Sequence, residues 1–356
     1  MKKLNESLKQ HLHAGTVIPA HPLALNAERK LDEQRQRLLT RYYMATGAGG
    51  IAVGVHSTQF EIRKPGIDLY APVLELAAEE IAKAGLQRPF LKIAGLCGPT
   101  QQALNEAETA LRFGYDMGLL SMGGLKGLTE EAILDRVRSV AAVIPVFGFY
   151  LQPAVGGRVF SYDFWKAFAG IPNVEAIKVA AFNRYQTLDV MRAVCNSHRK
   201  DEIAMYTGND DNIVADLLTK YRFTVNDTIV EKEFVGGLLG HWAVWTKKAV
   251  ELLEEVKAVK KDPDAFKLAA LQTRGVEVTD VNAAMFDAAN QFHSCIPGIH
   301  EFLRRQGLLE GTWCLDKDEQ LSALQSEAIS RVYDAYPHLH DDAFVKEFIK
   351  SEKGLL

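Results

Sequence analysis

Short runs of apolar, largely β-branched residues alternate with longer stretches of helical periodicity from the start of the chain to about residue 245. The runs predict strands over 16–20, 50–55, 90–96, 117–121, 144–151, 175–180, 203–207 and 235–239. Between them, residues 69–84, 99–113, 129–142 and 161–169 repeat their apolar positions at three and four, the spacing of a one-faced helix. Eight such alternations call for an α/β fold in which helices cover a parallel sheet. Closure into a (β/α)₈ TIM barrel is the form that eight units and about 240 residues take. An open doubly wound sheet would be marked by a glycine-rich first βα turn, and here that turn reads AHPLALN.

Beyond residue 245 the strand pattern stops and the apolar positions recur only at helical spacing. The expected organisation is a catalytic barrel over residues 1–245 followed by a C-terminal helical region, 246–356.

Composition narrows the class without naming a function. Hydrophobic residues at 47% and charged residues at 24% are those of a globular chain, and no apolar run is long enough to span a bilayer. A formal net charge of −4 gives no electrostatic footprint for nucleic acid or for an anionic membrane surface. The N-terminal MKKLNESLKQHLHAG has no apolar segment after its lysines, so it does not read as a secretory signal. Cys97, Cys195, Cys295 and Cys314 form no CxxC pair, which argues for reduced thiols and a cytoplasmic location. His293, Cys295 and His300 stand at i, i+2 and i+7 around Pro297, a spacing that suits no zinc site. Neither a metal nor an organic cofactor is expected.

The segment VEAIKVAAF carries the first chemical signal. In a barrel strand alternate residues face the lumen. Ile177, Val179 and Ala181 suit the helix-facing side, which turns Ala176, Lys178 and Ala180 inward. Lysine is rarely buried without a partner, and desolvation makes its neutral form more accessible. A partly neutral amine in a dry pocket is the nucleophile of Schiff-base chemistry. The segment alone leaves open a lysine that snorkels from the strand end to solvent. One strand earlier, in IPVFGFYLQP, Val146, Gly148 and Tyr150 share a parity. With Gly148 leaving space in the lumen, Tyr150 is expected inward near the C-terminal end, where barrel active sites are built, and a phenol there can relay protons. A core tyrosine is the alternative.

Taken together, YLQPAVGG, the 28 residues from Tyr150 to Lys178, and the frame AIKVA resemble the Y-x-x-P…G…(I-K) signature of the dihydrodipicolinate synthase and N-acetylneuraminate lyase family. YTGNDD resembles the S-G-D-D turn after that family's seventh strand, and FVGGLLG resembles its last strand. The resemblance implies a (β/α)₈ barrel with a helical C-terminal extension, assembled as a homo-oligomer (dimer or tetramer). It implies class I aldolase-type lyase chemistry on pyruvate or a related small-molecule 2-oxo acid. On this reading Lys178 forms the imine and Tyr150 relays protons. Ser57 and Thr58, in HSTQFE, stand nearest the two threonines that hold the substrate carboxylate, and Gly208 is the close-approach glycine.

The departures bear on the reaction. LLSMGGLKG stands where members that condense pyruvate with an aldehyde carry P-Y-Y, so the second relay tyrosine is absent. Val155 falls where dihydrodipicolinate synthases place a carboxylate-binding arginine, with Arg158 three residues later. His56 and His241 enter turns at the barrel top as candidate substrate-binding residues. These differences favour a 2-oxo-acid lyase other than dihydrodipicolinate synthase. A catalytically silent barrel that binds a sugar acid or acts as a regulator is the alternative from another class.

Overall fold

The computed structural model describes residues 2–352. Strands β1 (Val17–Pro19), β2 (Gly50–Val53), β3 (Leu91–Leu96), β4 (Met117–Ser121), β5 (Val146–Leu151), β6 (Val174–Ala180) and β7 (Ala204–Thr207) occupy seven of the eight expected runs. The eighth expected run is the second half of a longer strand, β9 (Thr228–Leu239), which lies between β7 and β1. Pairing is parallel from β2 round to β7 and on through β9 to β1. A single bridge between Ala20 and Ala52 brings β1 beside β2, so the eight strands form a nearly closed (β/α)₈ barrel.

The first half of β9 was not expected. It pairs antiparallel with β8 (Lys220–Val225) through the two-residue turn Asn226–Asp227. Both turn residues have positive φ, 47° and 61°, the backbone that a tight hairpin requires and that Asn and Asp tolerate. Glu231, Lys232 and Glu233 interrupt the apolar run, so this half carries no strand-like periodicity of burial on two faces.

Two apolar layers result from the alternation. Ile18, Ile93, Leu119, Phe147, Phe149, Ala176, Ala180 and Tyr206 fill the lumen. A larger layer lies between strands and helices and continues without a break into the C-terminal helices, through Leu271, Met285, Phe302 and Val345. The helix Glu6–Ala14 closes the N-terminal end of the lumen: Leu4 and Leu12 pack with the lumen residues, and the Tyr206 hydroxyl donates to the Leu12 carbonyl at 2.8 Å.

The C-terminal helices Thr246–Lys261, Ala265–Met285, Cys295–Arg305, Gln325–Ala335 and Asp342–Glu352 match the helical extension read from the pattern. Ala265–Met285 leans over the C-terminal ends of the strands, where the Asn282 side-chain amide donates to the Asp210 carbonyl at 2.7 Å. Among the described residues no helix is long and apolar enough to cross a membrane.

Candidate active site

Lys178 faces the lumen between Ala176 and Ala180, as the period of the strand predicts. Its residue is only 8% exposed, and its Nζ stands 4.3 Å from the centre of the Phe149 ring, its neighbour in register on β5. The site is crowded around the stem. A Cβ at Gly208 would come within 2.5 Å of Lys178 Cε and 2.9 Å of Ala180 Cβ, so the glycine's close approach is to the lysine stem. Burial lowers the lysine's pKa, and the negative charge of Asp210 draws it partly back.

Asp210 lines the same cavity as Lys178 and was not singled out from the sequence. It follows Gly208 in the turn after β7. Its Oδ1 accepts the backbone N–H of His241 at 3.1 Å, and its own carbonyl accepts from Asn282. Burial raises its pKa, opposed by the His241 N–H and by Lys178. The aspartate was visible in YTGNDD. Its burial was not, because the two residues that cover it lie 31 and 72 positions downstream.

Tyr150 requires a correction. On β5 it is Phe147, Phe149 and Leu151 that face the lumen. Tyr150 belongs to the outer layer, with its ring 5.1 Å from Trp165 and 6.3 Å from Phe160. Gly148 likewise makes room outside: a Cβ there would meet Phe168 of the helix Tyr162–Ala169 at 2.5 Å. Both faces of this strand are apolar, so hydrophobicity did not distinguish them. Two phenylalanines fill the lumen, Phe147 edge-on to Tyr206 at 5.3 Å, and parity then carries Tyr150 outward. The 28-residue spacing to Lys178 therefore does not bring phenol and amine together.

The remaining expected residues divide. His56 and Ser57 line the cavity beside Lys178. His56 is half-buried, and desolvation followed by the charge of Lys178 holds its imidazole neutral, well below the usual histidine range. The Ser57 hydroxyl donates to the Ala20 carbonyl at 2.9 Å, tying the β2 turn to β1. Thr58 does not face the cavity. Its hydroxyl donates to the His21 carbonyl at 2.7 Å and accepts from the N–H groups of Gly54 and Val55, which leaves it a pin for the turn and not a ligand for substrate. His241 is also displaced. Only its backbone N–H reaches the site, while its ring lines a second cavity against Trp242 and Trp245. Arg158 points away, donating to the Leu128 carbonyl at 2.7 Å and lying over the Phe160 ring. Val155 lines the cavity in its stead. His300 is buried on the helix Cys295–Arg305 and His293 is exposed. Among the described residues no group of three or more metal-ligating side chains stands together.

Fold and site together define a (β/α)₈ barrel protein with a buried lysine on β6, opening into a chamber at the C-terminal mouth. No family model matches the chain. In sequence it is 25% identical over 205 residues to an N-acetylneuraminate lyase of Citrobacter koseri, a match spanning 57% of this chain and 65% of the lyase. In fold it is similar to a dihydrodipicolinate synthase from Oceanobacillus iheyensis, with a TM-score of 0.71 at 16% identity over 93% of this chain and 99% of that one. A dihydrodipicolinate synthase from Acinetobacter baumannii, whose structure was determined in complex with pyruvate, gives a TM-score of 0.71 at 17% identity over 90% and 98% of the two chains. The likeness in sequence points to the same family that the motifs resemble, and the likeness in fold shows the barrel.

Proposed function

We propose that the protein is a Schiff-base-forming lyase or aldolase acting on pyruvate or a related 2-oxo acid. The observation that carries this reading is Lys178, an amine turned into an otherwise apolar lumen beside a buried carboxyl. Burial makes its neutral form available for attack on the C2 carbonyl. The carbinolamine loses its hydroxyl as water to give the imine. Loss of a C3 proton gives the enamine, whose C3 forms the bond to an aldehyde carbon. The aldehyde oxygen takes up a proton, and water then releases the product from Lys178. Cleavage runs the same steps in reverse.

Each of these steps moves a proton. With Tyr150 outside the lumen, Asp210 is the side chain placed to carry it. A carboxyl whose pKa is raised by burial can both donate to a departing hydroxyl and accept from C3 near neutral pH. The substrate carboxylate lies in this reading at the start of the turn after β2, with the backbone N–H groups of His56 and Ser57 as donors. The four cysteines are free thiols, in keeping with a cytoplasmic enzyme, and the family resemblance implies a homo-oligomer.

The test is borohydride reduction in the presence of pyruvate, followed by intact mass and peptide mapping. A reduced pyruvyl adduct on Lys178 is expected, and its loss in a folded Lys178→Ala variant. Binding of pyruvate with no adduct would favour a catalytically silent barrel. An adduct that persists in the variant would refute the assignment of the lysine.

A further inference from the structure

We infer that the part of the substrate remote from the imine carbon is a flat apolar group of aryl size, and not a polyol chain or a second carboxylate. The inference rests on Lys178 as the imine-forming residue and adds the substrate class.

Beyond Lys178 and Asp210 the chamber is walled by Leu151, Val155, Phe182, Phe286, Phe292 and Ile299. Lys178 is the sole cationic side chain lining it among the described residues. With Arg158 turned to the Leu128 carbonyl, no guanidinium is offered to a distal carboxylate. The other polar lining is His56, Ser57, Gln152 and Cys295, and the Ser57 hydroxyl proton is already given to Ala20. Between these apolar walls a chain of several hydroxyls would bury most of them without partners, which is unfavourable.

The second observation is backbone geometry. Phe182, in the loop after β6, and Phe292, in the C-terminal tail, have φ of 49° and 66°. This left-handed region is disfavoured for bulky residues, and a phenylalanine has no side-chain hydrogen bond of its own to offset it. Each is held there by an anchor. The Phe182 N–H donates to Asn209 Oδ1 at 3.0 Å, and the Phe292 N–H donates to the Asp287 carbonyl at 3.1 Å. The two rings meet edge to face, 5.5 Å apart at 76°, and both are half-exposed at the mouth of the chamber. Strained backbone of this kind clusters at ligand sites, and here it falls on two aromatics that converge at the mouth of the chamber. The group that such a pair accommodates is another ring, placed face to edge.

Reductive trapping with four 2-oxo acids decides it: pyruvate, 2-oxo-4-phenylbutanoate, 2-oxoglutarate and 2-oxo-3-deoxygluconate. The readout is the acid concentration giving half-maximal adduct on Lys178. The phenyl acid is expected to half-saturate at a concentration about tenfold below either polar acid, the discrimination an apolar pocket supplies. Phe182→Ala and Phe292→Leu should each reduce that ratio toward unity. If 2-oxoglutarate or the polyol acid traps as well as the phenyl acid while pyruvate also traps, the substrate class is wrong and the imine lysine stands. If no acid gives an adduct, pyruvate included, the Schiff-base reading fails and this inference falls with it. Should the variants not fold, the ranking with the wild-type protein still decides.

Discussion

Removing the charge of Asp210 acts on Lys178 before it acts on any substrate. Burial lowers the lysine's pKa, and Asp210 is the group that raises it. Asp210→Asn removes that influence, so the lysine's pKa should fall further. The rate of imine formation measured against pH by rapid quench should then show its inflection at lower pH than in the wild-type protein. An unmoved inflection would show that the two groups do not share a field. Turnover should fall by about 10²–10⁴, the usual loss of a positioned acid–base group. The same shifts have opposite signs in stability. The native state gains relative stability as pH rises through the window between the folded and unfolded pKa of Lys178. It loses relative stability as pH rises from the ordinary carboxylate value through the raised value of Asp210. Tyr150 is the control. Packed against Trp165, it should tolerate Tyr150→Phe with turnover within about a factor of two, where a relay phenol would cost about 10²–10⁴. A large loss in steady-state kinetics would return the phenol to the mechanism.

At the scale of elements, the turn after β7 depends on one buried carboxylate. Asp216, on the short helix Ile213–Leu218, is fully buried and accepts from Thr207 Oγ1 at 2.7 Å, Asn209 Nδ2 at 2.9 Å and Asn212 Nδ2 at 3.2 Å. Tyr221 of β8 and Arg184 complete the set. This clamp fixes the segment that presents Gly208 and Asp210, and through Asn209 it also anchors Phe182. Asp216→Ala would leave several buried donors without an acceptor. The expected destabilisation is about 3 kcal/mol, moderated because Arg184 keeps access to water. Urea unfolding measures it, and a change below about 1 kcal/mol would mean that solvent replaces the clamp. The unexpected β8–β9 hairpin contributes Tyr221 to it, so an element without its own strand signal supports the site.

For the whole molecule, the chamber is assembled from β1, the turn after β2, β5, β6, the turn after β7 and the C-terminal tail. This sum bears on which reaction the proposed lyase should catalyse poorly. Condensing pyruvate with aspartate semialdehyde requires a cation for the far carboxylate, and Val155 lines the chamber where the family resemblance expects it. The end of β4 runs on as MGGLKG without a tyrosine. Losing a charge-assisted hydrogen bond costs about 1.5–3 kcal/mol and losing a relay group about 10²–10⁴ in rate. Dihydrodipicolinate synthase activity should therefore be lower than a typical enzyme's by several orders of magnitude in a coupled assay. A kcat/KM within about tenfold of the usual enzymatic range would show that other residues supply both functions.

The alternation of strand and helix patterns determined the barrel and its helical extension, because every parallel strand must be covered on its outer face and closed on its inner one. Lys178 was legible for a related reason: a charge between two alanines on a strand of period two has a definite side. Tyr150 was not, because β5 is apolar on both faces and only the packing of Phe147 and Phe149 in the lumen decides its parity. Asp210 was present in a familiar turn, yet its buried state depends on His241 and Asn282 folding back over it. The Phe182–Phe292 pair lay furthest from view. Neither residue signals a left-handed backbone, and only the docking of the C-terminal tail onto the barrel mouth brings the two rings together. What the chain decides locally is periodicity. Which side chains meet across the mouth is decided by contacts between segments distant in sequence, where no local preference acts.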